Sequence, residues 1–267
     1  MRGIILRILI EVCNQYRRLQ KGHTMKKFNL FKFKPSLELV YVFINYISIV
    51  GMFYLSFQII TIKNVAGQFI TFGVIGVLFL GILFPALYTT QIKHRTLSSM
   101  GIHKHKLLLS LGLSLIFAII QYTLTLATIP LPKLNVLLPL LCMALTVGLF
   151  ENIFFRGFVQ LRLEQSFGVI PSIVLSSSMY CLYHVGYGMA GSEFLMLFVV
   201  GLVYASIFRL TRNVFILFPL LTPMGALFTN LNEGLIIPFE SIIGFTLVFV
   251  SAIIGLVFID QRLTKRS

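Results

Sequence analysis

Two adjacent apolar stretches of the chain carry polar residues at spacings that matter. One reads Leu149-Phe150-Glu151-Asn152-Ile153-Phe154-Phe155-Arg156-Gly157, the other Met179-Tyr180-Cys181-Leu182-Tyr183-His184-Val185-Gly186. On a helix Asn152 and Arg156 share a face, and so do Tyr180 and His184, because residues four apart are neighbours. Glu151 lies about 100° from Asn152 and can still face inward. Glu151 and His184 are placed symmetrically about Ser166-Phe167-Gly168. If both arms of this hairpin are helix at ~1.5 Å per residue, the two side chains reach one depth. A carboxylate and an imidazole at one level can share a water, which suits general-base activation of that water. Arg156 can hold a carboxylate or a developing negative charge.

Such residues are costly where they stand. An ionisable group inside a spanning helix costs roughly 2.5–3.5 kcal/mol, so it is retained for a reason. The reason need not be chemical. A Glu–Arg pair can be a packing ion pair, and a lone histidine can simply bond a neighbour. A third polar cluster, Thr222 to Asn232, holds Pro223 and Gly225 and follows Pro219; it either unwinds to line a cavity or only bends.

The elements that must position these groups follow from composition. Of 267 residues, 57% are hydrophobic and 11% charged. Soluble domains average ~45–50% and ~25%, so an ordinary soluble enzyme and a disordered chain are both excluded. The fold class expected is all-α: a polytopic membrane helix bundle of about eight transmembrane helices, over about 39–62, 67–92, 107–130, 135–160, 168–190, 193–209, 213–230 and 238–259. Cys13, Cys142 and Cys181 lack metal or disulfide spacing.

The net charge of +14 sits at the ends of these runs. Alternate connections hold 20 Lys and Arg on one side and 2 on the other. Cytoplasmic loops carry such excess, so both termini are expected in the cytoplasm, with an even number of spans. The basic residues are expected to meet anionic membrane lipid rather than nucleic acid. Residues 1–38 read as a basic cytoplasmic segment, 39–260 as the transmembrane domain and 261–267 as a cytoplasmic tail. Ile4–Ile10 is too short, and broken by Arg7, for a cleaved signal peptide; Met25 is an alternative start.

The chain resembles the CPBP family of intramembrane proteases, the CAAX prenyl endopeptidase and bacterial Abi-type group, over about residues 100–232. That family shows Glu-Glu-x-x-x-Arg on one helix, Phe-x-x-x-His on the next, and commonly His-x-x-x-Asn on a later one. Glu151 stands at the first motif glutamate, which in the family activates the attacking water. Asn152 replaces the second. Arg156, with Gly157 after it, and His184 match, while Tyr180 stands where phenylalanine is usual. No histidine occurs between 213 and 232; aligning Asn230 with the third-motif asparagine puts Ala226 at the histidine position.

The resemblance implies a peptidase of the bacterial plasma membrane acting on a membrane-associated or lipid-linked peptide or protein, in peptide maturation or in protection against bacteriocins. Glu151, Arg156 and His184 are the expected catalytic residues; Asn152, Tyr180 and Asn230 support them. Hydrolytic metal sites usually take three protein ligands, and Glu151 with His184 gives two, so neither a metal nor another cofactor is expected. The alternative reading is a catalytically degenerate relative acting as a bacteriocin-immunity or scaffold protein. A transporter reading also exists, but no inverted repeat is evident.

Overall fold

A computed structural model describes residues 29–60 and 65–264. Arg2 to Lys27 with Cys13 and Met25, and also Lys63, Lys265 and Arg266, lie outside the described residues. The described chain contains no strand and is built of helices. These are α1 (Glu38–Ile60), α2 (Ala66–Ile92), α3 (Leu107–Thr128), α4 (Leu134–Phe167), α5 (Val169–Tyr187), α6 (Gly191–Thr211), α7 (Leu221–Asn232) and α8 (Ser241–Arg262). All but α7 are long and apolar enough to cross a membrane, which makes seven among the described residues.

The segment expected as a seventh full span, 213–230, departs from the pattern. It forms a 3-10 turn at Val214–Ile216 and then α7, of 12 residues. At 1.5 Å per residue α7 is about 18 Å long, short of the ~30 Å of hydrocarbon. The prolines are the cause. Pro219 cannot donate a backbone bond and pushes Phe218 away from helical geometry. Pro223 is tolerated because it falls in the first turn of α7, where no N–H partner is needed. The segment still runs from one end of the bundle to the other. At its start the Asn213 amide donates to the carbonyls of His103 (2.9 Å) and His105 (3.1 Å). At its finish Leu227 and Leu231 pack with Leu126 and Leu140.

The exterior reads as lipid-facing. On α8 the residues Ile243, Leu247, Val250, Ile254 and Val257 recur at helical spacing and are exposed, whereas Val248, Ala252, Leu256 and Ile259 are buried. Lipid tails offer no hydrophobic drive to join helices, so the interior must be held by close packing and polar contacts. Phe53, Phe72, Phe150, Phe154, Phe155 and Phe158 form much of that interior.

The connections rich in Lys and Arg gather at one end. The Lys32 ammonium donates to the Gln165 carbonyl (2.8 Å), Arg95 grips Glu38, and Arg209 and Arg212 pair with Glu164. Arg156, one of the 20 on the basic side, is not at that end. It lies within α4, 2% exposed and twelve residues before Gly168. The asymmetry does not depend on it.

The α4–α5 hairpin turns at a single residue, Gly168, with φ of 89°. A Cβ there would sit 2.7 Å from the Asn29 carbonyl oxygen, so only glycine fits. The chain before α1 runs along this turn. Lys32 and Lys34 donate their amides to the carbonyls of Phe167 (2.9 Å) and Ser166 (2.8 Å), and Val169 and Ile170 donate back to Asn29 and Leu30.

Candidate active site

Helix type changes where the polar residues lie. In α4, Leu134–Glu151 is α-helical, Asn152–Gln160 is π-helical and Leu161–Phe167 is α-helical again. In α5, Val169–Tyr183 is α-helical and His184–Tyr187 is a 3-10 turn. Glu151 is thus the last residue before a widened section, and His184 the first of a tightened one. Such departures from regular winding re-aim side chains and are frequent at functional sites.

Glu151 is 5% exposed. Its carboxylate accepts a hydrogen bond from the Tyr183 hydroxyl, across the α4–α5 hairpin. This contact brings the two arms into the register that the symmetry about Gly168 predicts. Tyr183 is fully walled by aromatic rings, with centroids 4.8 Å away at Phe155, 6.1 Å at Phe53 and 6.2 Å at Phe150. An apolar wall keeps water from screening the bond, which strengthens it. Sequence reasoning passed over Tyr183. The available signal was its position three residues after Tyr180 and next to His184, which places three polar rings within about one helical turn.

Arg156 does not close an ion pair with Glu151. Its guanidinium sits 5.2 Å from the Tyr180 ring centroid, a cation–π contact. It remains within electrostatic range of Glu151. Both terminal nitrogens, Nη1 and Nη2, are buried without a hydrogen-bond partner among the described residues. A packing ion pair would have used them. Buried guanidinium donors left open are a standing site for a carboxylate or an oxyanion.

His184 joins this group through its neighbours. Its ring lies 4.1 Å from the Tyr183 ring and 5.2 Å from the Tyr180 ring, centroid to centroid. Its Nδ1 is 2.9 Å from the Tyr180 carbonyl oxygen. A carbonyl only accepts, so this bond requires a proton on Nδ1, and in the neutral ring Nε2 is then a lone-pair acceptor.

The remaining residues divide. Asn152 turns away from Glu151 toward α7: its amide donates to the Gly148 carbonyl (2.7 Å), and its Oδ1 accepts from Thr222 at 3.4 Å. The close approach of α7 is set at Gly148, where a Cβ would meet Pro223 at 2.8 Å. Asn230 stands eight residues beyond Thr222, about 12 Å further along α7, between Leu227 and Leu231 of the cluster at the opposite end. Of the polar residues on α7, Thr222 is the one that reaches Asn152. The Tyr204 hydroxyl, from α6, borders the group and contacts the Leu221 carbonyl at 3.3 Å.

Among the described residues, no three of His, Cys, Asp and Glu converge as metal ligands. The donor set of Glu151 and His184 does not fit a metal held by three protein ligands. Cys142 and Cys181 are free thiols, and Cys181 donates to the Phe194 carbonyl.

No curated protein and no solved structure matches this chain. One family does. The model described as type II CAAX prenyl endopeptidase Rce1-like matches residues 133–226, from the start of α4 into α7. That stretch holds Glu151, Arg156, Tyr183 and His184. A helical bundle with membrane-spanning lengths and a match to a membrane protease family together make this an integral membrane protein, similar over residues 133–226 to the CAAX-type proteases.

Proposed function

We propose that the protein is an intramembrane peptidase in which Glu151 activates the water that attacks a peptide bond. The observation that carries this reading is the pairing of a buried carboxylate, gripped by the Tyr183 hydroxyl, with an Arg156 whose terminal donors are open. Tyr183 holds one carboxylate oxygen and so fixes the aim of the other. Glu151 takes a proton from water as the oxygen attacks the carbonyl carbon. The same proton is then delivered to the leaving amine. The Arg156 donors face the negative charge that develops on the carbonyl oxygen. With its proton on Nδ1, His184 accepts from the water through Nε2 and orients it, rather than donating to the oxyanion.

The substrate in this proposal is a membrane-associated or lipid-linked peptide entering from the basic end. By the positive-inside rule that end is cytoplasmic, with both termini there. The test uses the protein reconstituted in vesicles, with prenylated and unmodified C-terminal peptides in 18O-enriched water. Cleavage places one 18O in the new carboxylate. Absence of cleavage across a panel of lipid-linked peptides defeats the proposal.

One observation favours a second reading, a non-catalytic immunity or scaffold protein. Asn152, where the motif has its second glutamate, has both amide atoms committed to Gly148 and Thr222, so this position serves packing. Under that reading Glu151→Gln leaves the cellular phenotype unchanged.

A further inference from the structure

The basic end of the bundle holds a second concentration of charge, unrelated to Glu151. Glu38, at the start of α1, is 8% exposed. Arg95 clasps its carboxylate with two bonds, at 3.0 and 2.7 Å. Arg162 Nε lies at 3.3 Å and Lys93 at 3.7 Å. One carboxylate therefore faces three cations, and Arg95 bonds both its oxygens.

Beside this cluster is a cavity of about 270 Å³, lined by Lys32, Lys34, Ser36, Glu38, Arg95 and Ser166 among others. Lys32 and Lys34 come from the stretch that runs along the Gly168 turn. Their amides bond the turn on the same side, so in extended backbone their side chains share a face. Among the described residues neither makes an ion pair, and the Lys32 ammonium spends one donor on the Gln165 carbonyl (2.8 Å). The cavity thus presents two unneutralised ammonium groups beside a cluster that is already net positive.

Apolar residues interleave with these lysines. Leu30, Phe31, Phe33 and Leu37 are all exposed. Lysines alternating with exposed aromatic residues, at the end of spanning helices, belong at a lipid interface, where rings enter the acyl boundary and ammonium groups remain at headgroup level.

We propose that this cavity binds a phosphate group. The exposed apolar residues that alternate with Lys32 and Lys34 along the same stretch favour the phosphodiester of an anionic phospholipid headgroup over a soluble phosphate. Lys32 and Lys34 supply charge-assisted bonds to its oxygens, and the Glu38 cluster holds Arg95 at the wall. The site stands apart from the peptidase reading and survives if that reading fails.

Native mass spectrometry of the full chain, titrated with phosphatidylglycerol against phosphatidylcholine, and separately with inorganic phosphate, tests this. The wild type retains one phosphatidylglycerol in preference to phosphatidylcholine. K32A/K34A weakens that binding about 30-fold. The charge-matched control K104A/R262A removes two exposed cations from the same end, outside the cavity, and changes it less than about threefold. All three proteins melt alike without lipid, since the four side chains are exposed. Binding of inorganic phosphate that is lost in K32A/K34A, without selective lipid retention, also supports a phosphate site and names a soluble phosphoryl group as its source. Equal weakening in both double variants, or none in K32A/K34A, overturns the proposal.

Discussion

Glu38 and Glu151 are both buried carboxylates near an arginine, yet their surroundings are opposite. Glu38 is paired with cations: Arg95 bonds both its oxygens, and Arg162 and Lys93 stand close by. The Arg162 guanidinium also bonds the Ser99 carbonyl and the Thr89 hydroxyl, so the cluster ties α1, α2 and α4 together. Glu151 has a hydroxyl in place of a cation, and the nearby Arg156 keeps both terminal nitrogens unbonded. A neutralised cluster locks a fold. A carboxylate and a guanidinium held near one another, but not joined, store the capacity to bind something else. Burial of charge alone does not mark a reactive site, and neither does one open donor, since Arg162 Nε beside Glu38 also lacks a hydrogen bond among the described residues; what sets Glu151 apart is a carboxylate that no described cation bonds, beside a guanidinium with both terminal nitrogens open.

Substitutions break this contrast in graded fashion. The largest effect is expected from Glu151→Gln, which keeps shape and loses the base. Turnover should fall by about 1,000-fold while the unfolding midpoint barely moves, since loss of a general base costs 10²–10⁴. Glu38→Gln should do the reverse. It strands buried Arg162 and costs about 3 kcal/mol of stability, read by thermal unfolding, with turnover per folded molecule unchanged. Arg156→Gln removes the open donors and should lower kcat about 100-fold with little change in KM. Tyr183→Phe deletes one hydroxyl and leaves the carboxylate in place, so a drop of about tenfold in kcat is expected, equal to one hydrogen bond to a charged group.

Much of this arrangement was legible in the chain. Continuous apolar runs such as Val77–Phe84 named the spans, and the alternation of Lys and Arg ordered their ends. The symmetry of Glu151 and His184 about Gly168 anticipated a shared depth, and the Glu151–Tyr183 bond joins the arms at that level. Local spacing failed where helix type changes. Asn152 and Arg156 share a face on an α-helix, but the π-helical section sends Asn152 to Thr222 and Arg156 to the Tyr180 ring. The stripe of Tyr180 and His184 rests on an α-helix over about 168–190. The winding tightens at His184, and Tyr183 becomes the residue that meets Glu151. The Glu38 cluster was invisible for another reason: its partner Arg95 is 57 residues away, and no periodicity reports a contact made by tertiary packing.

The central claim is that the Tyr183 hydroxyl acts through the Glu151 carboxylate. A double-mutant cycle on kcat, measured for wild type, Tyr183→Phe, Glu151→Gln and the double variant, tests it most directly. The tenfold loss from Tyr183→Phe is predicted to vanish when Glu151 is already glutamine. The same tenfold loss in both backgrounds would contradict the claim, because Tyr183 would then act independently of the carboxylate it touches.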